Sequence, residues 1–128
     1  NRIGLSDYGI DIYSTNIIVN EAFLQKNPDL VRRFLHASLK GWKEAFEQPV
    51  KAVAAYMAAR PESDAAFNEA NFKALAPILT SPDVQIQGMG AQTLARWTDT
   101  QNILSGLGLL TKKQDLSKMF TNKLLPTQ

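Results

Sequence analysis

Cysteine is absent from the 128 residues. Disulfides, thiolate metal sites, cysteine nucleophiles and iron–sulfur ligation are therefore excluded within the chain. The compartment stays open, because a domain of this size is exportable without disulfides. Histidine occurs once, at His36, so neither a multi-histidine metal site nor a histidine pair can form. Charge of one sign is also scarce: 14 Lys+Arg against 12 Asp+Glu leave a net +2. No basic run exceeds two residues, and the electrostatic footprint of a nucleic-acid binder is missing. No apolar run approaches the roughly 20 residues that span a bilayer. Residues 1–15 lack the basic and apolar regions of a signal peptide. What remains is 45% apolar and 20% charged, the composition of a globular domain rather than of a disordered one. The chain opens at Asn1 directly in strand-like sequence, and we expect a piece of a longer protein.

Residues 10–19, Ile-Asp-Ile-Tyr-Ser-Thr-Asn-Ile-Ile-Val, are β-branched and aromatic with partial alternation, which predicts a strand. Asn20 caps a short helix through Gln25. Asn27-Pro28 starts a long helix over 28–47, Asn as the cap and Pro at the first helical position. Leu30, Val31, Phe34, Leu35, Leu39, Trp42, Ala45 and Phe46 fall on one half of it. Arg32, Arg33, His36, Lys40, Lys43, Glu44 and Glu47 fall on the other. Pro49 opens a helix over 49–60 that Pro61 stops. Ser63 or Asp64 caps the next, which Pro77 kinks or ends. Residues 80–90 read as loop, with a brief extended piece at 84–86. A last long helix over 90–106 carries Leu94, Trp97, Gln101 and Leu104 as its stripe. Gly106 or Gly108 ends it in a left-handed turn, with Leu109 and Leu110 packing back. A short helical turn near 115–120 precedes a loose end.

Catalytic signatures are missing. Gly88-Met89-Gly90 lacks the third glycine and the preceding strand of a phosphate loop, and Gly106-Leu107-Gly108 follows a helix, the wrong end for an anion. His36, on the charged face between Arg32 and Lys40, reads as a solvated surface residue rather than a base. Glu44 and Glu47 read as solvated helix charges. Phe34, Trp42, Phe46 and Trp97, at helical spacing, read as core before they read as an aromatic ligand box. The opening stretch, Ser6 to Asn16, gathers hydroxyls, an amide, acids and two tyrosines. Those groups supply the short hydrogen bonds and flat faces that a small polar ligand requires. The same residues also suit an edge strand with Ser and Thr facing water.

Asp7-Tyr8-Gly9-Ile10-Asp11-Ile12-Tyr13-Ser14-Thr15, continued by Ile17 to Glu21, by Lys26 to Trp42 and by Pro49 to Tyr56, resembles a known family. So do Arg96-Trp97, Gly106-Leu107-Gly108-Leu109 and Phe120 to Pro126. The family is that of the periplasmic substrate-binding proteins of nitrate, sulfonate, taurine and thiamine-pyrimidine-precursor ABC importers, and the resemblance is to its C-terminal portion, closest to the pyrimidine-precursor branch. It implies an α/β, two-lobed periplasmic-binding-protein (type II) fold, locally mostly helical, with an N-terminal hinge-crossing strand. Residues 1–19 would be the end of the second lobe and the crossing, and 20–128 the helical part of the first lobe. It also implies ligand-binding roles for Asp7, Tyr8, Tyr13, Ser14 and Thr15. Strand alternation turns either Tyr13 or Ser14 to the cleft, not both. No catalysis, metal or cofactor is expected. The implied ligand is small and polar or heteroaromatic, the implied partner a membrane permease, and the implied location periplasmic or extracytoplasmic, with a lipid anchor in a Gram-positive cell. Two alternatives stand beside this: a pyrimidine-synthase-type enzyme of the same fold, and a helical protein-interaction module. A lobe without most of its sheet would expose apolar faces, so dimerisation or swapping is expected of this chain alone.

Overall fold

The computed structural model describes residues 4–13, 15–79, 84 and 87–126. After a 3₁₀ turn at Leu5–Tyr8 come α1 (Glu21–Lys26), α2 (Pro28–Glu47), α3 (Pro49–Ala59), α4 (Ala65–Leu79) and α5 (Leu94–Gly106), and then a 3₁₀ turn at Leu116–Lys118. The expectation of a mostly helical chain is borne out. The expected strand is not seen. Residues 10–13 and 15–19 are irregular, Ser14 lies outside the described residues, and no strand occurs among those described. A β-rich segment becomes a strand only where a neighbour completes its hydrogen-bond ladder. The chain divides into two compact units, one of Asn1–Lys26 with Gln92–Lys123, the other of Asn27–Ala91 with Leu124–Gln128.

In the second unit proline sets the helix boundaries. Pro28 stands at the first turn of α2, where its missing N–H is no loss. Asn27 occupies the cap position, but its side chain makes no capping bond. Its ψ of 48° lies outside the extended region from which a cap reaches the first-turn amides. Pro49 cannot donate to α2, so the chain turns at Gln48 and begins α3 with that proline at its first turn. Asp64, not Ser63, caps α4, its Oδ1 accepting the Phe67 N–H at 2.9 Å. Pro77 falls in the last turn of α4, which ends two residues later. Residues 80–83, 85 and 86 lie outside the described ones. Val84, expected to be extended, is helical, and its carbonyl accepts the Gly88 N–H at 2.8 Å. Gly90 has φ +86°, and a Cβ there would meet Leu39 Cδ2 at 3.0 Å and Leu125 Cδ2 at 3.3 Å. Only glycine takes that backbone conformation without strain and lets those leucines approach.

α2 packs on α3 and α3 on α4. Trp42 stacks on Phe46 at 5.7 Å, and Phe46 meets Phe72 of α4 at 5.4 Å, the offset geometry that aromatic rings prefer. The apolar face stays open, however. Among the described residues no hydrophobic side chain is buried, and Phe34 (61%) and Trp42 (41%) are exposed. Reading Phe34, Trp42, Phe46 and Trp97 as core is thus corrected: Phe46 and Trp97 are half-buried, the other two face out. Apart from His36, the polar face is as expected. Lys40–Glu44 and Lys43–Glu47 form long pairs of 3.8 and 3.9 Å one turn apart, and each such pair contributes only a few tenths of a kcal/mol. On α4, a hydrogen bond from Lys73 and the charge of its ammonium hold the Glu69 carboxyl below the ordinary carboxylate range.

His36 departs from its expected role as a solvated surface residue. It is half-buried, with Nε2 2.9 Å from the carbonyl oxygen of Leu124. A carbonyl only accepts, so Nε2 carries the proton and donates. The bond ties the tail to α2. His36→Ala is expected to lower stability by about 1 kcal/mol, the net contribution of one such bond. A urea midpoint unchanged by the substitution would return His36 to the solvent.

The first unit is held by its caps. Asn20 Oδ1 accepts the Phe23 N–H at 3.0 Å, and Thr93 Oγ1 accepts the Arg96 N–H at 3.2 Å. α5 ends in a Schellman turn at Gly108 (φ +71°). Leu109 N–H donates to Leu104 O at 2.9 Å and Gly108 N–H to Ser105 O at 3.0 Å, the paired bonds of that motif. Leu110 is half-buried there, whereas Leu109 faces out. Gln101 is the most buried residue of the helix stripe. Its Oε1 accepts the Gln114 N–H at 2.6 Å, satisfying a loop amide that burial would otherwise orphan. Asp115 caps the last 3₁₀ turn through Ser117, and those bonds hold its carboxyl below its ordinary range.

Candidate functional site

The 3₁₀ turn at Leu5–Tyr8 forms because Asp7 N–H reaches Gly4 O at 3.1 Å and Ile10 N–H reaches Leu5 O at 3.1 Å. Gly9, at φ +73°, ends it. The Asp7 carboxyl folds back over Gly4, where a Cβ would lie 2.8 Å from Oδ2. Asp7 is exposed, and the Tyr8 ring is 72% exposed. Among the described residues no side-chain hydrogen bond or ion pair engages either. Thr15 is exposed in a bend. Ser14 lies outside the described residues.

Tyr13 is placed differently. Its hydroxyl accepts the Thr93 N–H at 2.8 Å. Its ring lies 5.6 Å from the Trp97 ring at 46°, and the Arg96 guanidinium sits over it, Cζ 5.0 Å from the centroid. Arg96 Nη2 also meets Asp11 Oδ2 at 2.6 Å. Trp97 in turn stacks near Phe120 at 6.4 Å. Beside this cluster Gln92 spends all of its polar groups. Its N–H donates to Asn122 Oδ1 at 3.1 Å and its carbonyl accepts from Asn122 Nδ2 at 2.8 Å. Its Nε2 donates to Asn16 Oδ1 at 3.1 Å, and its Oε1 accepts from Trp97 Nε1 at 2.9 Å. Through these contacts Asp11, Tyr13 and Asn16, the start of α5, and Phe120 and Asn122 become one cluster.

Of the five residues expected at a ligand site, Tyr13 is thus fixed within the unit, while Asp7, Tyr8 and Thr15 face outward. Sequence reasoning gave no role to Gln92, Arg96 or Asn122. Arg96 stands 85 residues from Asp11, and no spacing rule brings them together. The signal that was available is Arg96 in the first turn of a helix, where its charge opposes the helix dipole. The outward groups are a carboxylate, a phenol and an aliphatic hydroxyl. Together they can accept and donate hydrogen bonds and offer a ring face to a planar ligand. No cluster of metal-ligating side chains occurs among the described residues, and no described helix is long and apolar enough to cross a membrane.

Comparison with known proteins adds two matches. Residues 1–52 match the family model described as NMT1/THI5 like. Over 119 residues the chain is 28% identical to the riboflavin-binding protein RibY of Chloroflexus aurantiacus, an alignment covering 91% of this chain and 34% of that protein. The chain therefore spans about a third of the length of that relative. No solved structure matches significantly. The two matches bear out the resemblance drawn from the sequence: residues 1–52 are similar to the NMT1/THI5-like family, and 91% of the chain is similar to part of a protein named for riboflavin binding.

Proposed function

We propose that the chain is the C-terminal portion of an extracytoplasmic solute-binding protein that delivers a flat heteroaromatic ligand, of the flavin or pyrimidine class, to the permease of an ABC importer. Residues 1–19 end one lobe and cross the hinge, and residues 20–128 complete the other. The observation that carries this reading is the similarity along 91% of the chain to a protein named for riboflavin binding. The chemistry of the opening segment agrees with it. Tyr8 offers an open ring face, Asp7 an acceptor for ring N–H groups, and Thr15 a hydroxyl for polar substituents. Tyr13 anchors the segment on which they stand. A sulfonate or nitrate is disfavoured, because an anion beside the Asp7 carboxylate is repelled unless a cation intervenes. The ligand drives lobe closure only by its preference for the closed form.

The synthase-type enzyme remains as a second reading because the family description itself includes the THI5 type. A ligand screen of the full-length protein by thermal shift discriminates between the candidate cargoes. Riboflavin and pyrimidines are expected to raise the melting temperature, by about 2.7 kcal/mol of stabilisation at a hundredfold excess over Kd. Taurine and nitrate are expected to do nothing. Tyr8→Ala should weaken binding of the active ligand about tenfold, the loss expected when one stacked ring is removed. A shift with taurine or nitrate alone would overturn the heteroaromatic assignment. A shift with none of these compounds would favour the helical interaction module.

A further inference from the structure

Arg96 occupies the third position of α5, where a cation faces the positive end of the helix dipole. A residue chosen for helix stability alone would be acidic or neutral there. The guanidinium side chain is nonetheless only 19% exposed, and it bonds an Asp11 carboxyl that is 66% exposed. A local choice that works against its own helix signals a demand from elsewhere in the fold. The demand lies on the opening segment. From Asp11 and Tyr13, which it grips by charge and by ring face, the chain runs back through Ile10 and Gly9 to Tyr8 and Asp7. The same tyrosine is held at its hydroxyl by the Thr93 N–H, immediately before α5.

We propose that Arg96 is a positioning residue for the ligand site: it clamps Asp11 and Tyr13 to the first turn of α5, and so fixes the direction in which Asp7 and Tyr8 are presented. This rests on the function proposed above. In this reading Arg96 acts through Asp11, which its Nη2 meets, and through Tyr13, over whose ring its guanidinium sits, rather than by contact with ligand. Asp11 stands only three residues from Tyr8 in sequence, a reach of about 11 Å at most. A released clamp therefore lets the exposed pair swing, and binding pays the entropy of reordering it.

The test uses the full-length protein with riboflavin as the probe, read by quenching of the flavin's own fluorescence, together with Arg96→Gln, Arg96→Lys, Asp11→Asn and the double variant Asp11→Asn/Arg96→Gln. Arg96→Gln and Asp11→Asn are each expected to weaken binding about tenfold. The double variant should be no weaker than the worse single, because both members belong to one device. Lysine keeps the ion pair but loses the planar contact with the ring, so Arg96→Lys should recover to within about threefold of wild type. Affinity unchanged in Arg96→Gln, or losses that multiply in the double variant, would overturn the proposal.

Mapped chymotryptic cleavage supplies a reading that does not depend on ligand. Release of the segment should speed cutting after Tyr8 and Tyr13 in Arg96→Gln about tenfold, with Arg96→Lys restoring protection. Should riboflavin fail to bind wild type, the proposed function fails first. Faster cutting would then still support the clamp, and unchanged cutting would remove it.

Discussion

Replacing Gln92 with alanine is expected to destabilise the protein by about 2–4 kcal/mol. The side chain both donates and accepts: Nε2 to Asn16 Oδ1 at 3.1 Å, and Oε1 from Trp97 Nε1 at 2.9 Å. All three residues are half-buried. Truncation strands the indole N–H and the Asn16 carbonyl together, and a stranded group costs more than the net worth of the bond it made. Gln92→Glu separates the two halves of the effect. It keeps an acceptor for Trp97 but loses the donor to Asn16, so it should cost less than alanine. Asn102→Ala, an exposed change on the same helix region, should stay within about 0.5 kcal/mol. Urea unfolding of the full-length variants measures all three. A Gln92→Ala loss as small as that of Asn102→Ala would mean that the amide cluster does not hold the unit together.

The 128-residue chain on its own is expected to self-associate at micromolar concentration and to bind a hydrophobic dye strongly. Among the described residues no apolar side chain is buried, and Leu30, Phe34 and Trp42 of α2 lie on the surface. Between the helices of the second unit, Trp42, Val53, Tyr56, Phe72 and Leu75 line an open hollow of about 500 Å3. Apolar surface gains about 25 cal/mol for each Å2 removed from water. A few hundred Å2 of contiguous patch is therefore enough to drive association of one copy with another. In the full-length protein the same surfaces should be covered, and dye binding should fall to the level of an ordinary folded domain. Sedimentation of the chain alone as a monomer, with a cooperative calorimetric transition, would contradict this.

Element boundaries were legible where a residue type has one local use. Pro28 and Pro49 begin helices because proline tolerates only the first turn, Asp64 and Asn20 cap because their side-chain oxygens reach the first amides, and Gly108 ends α5 because the left-handed turn favours glycine. The polar face of α2 was legible for the same reason, its pairs being one turn apart. Long-range matters were not. The wheel places His36 among charges and cannot show a carbonyl 88 residues later. The stripe of Leu30, Phe34 and Trp42 shows which face seeks burial, not whether anything covers it. Residues 10–19 carry strand chemistry, but no strand occurs among the described residues to pair with them. In the site region, the resemblance gives Tyr13 a ligand-binding role, but its hydroxyl and ring partners, Thr93, Arg96 and Trp97, come from some 80 residues away. Asp7 and Tyr8 stood out by composition, and what composition leaves out is the clamp that aims them.

The most direct test of ligand capture without chemistry is equilibrium dialysis of the full-length protein against riboflavin, followed by mass analysis of the ligand released on unfolding. One equivalent retained per chain and recovered with its mass unchanged is the expected result. No retention of riboflavin, or recovery of a chemically altered product, would contradict the account, the latter in favour of an enzyme of the same fold.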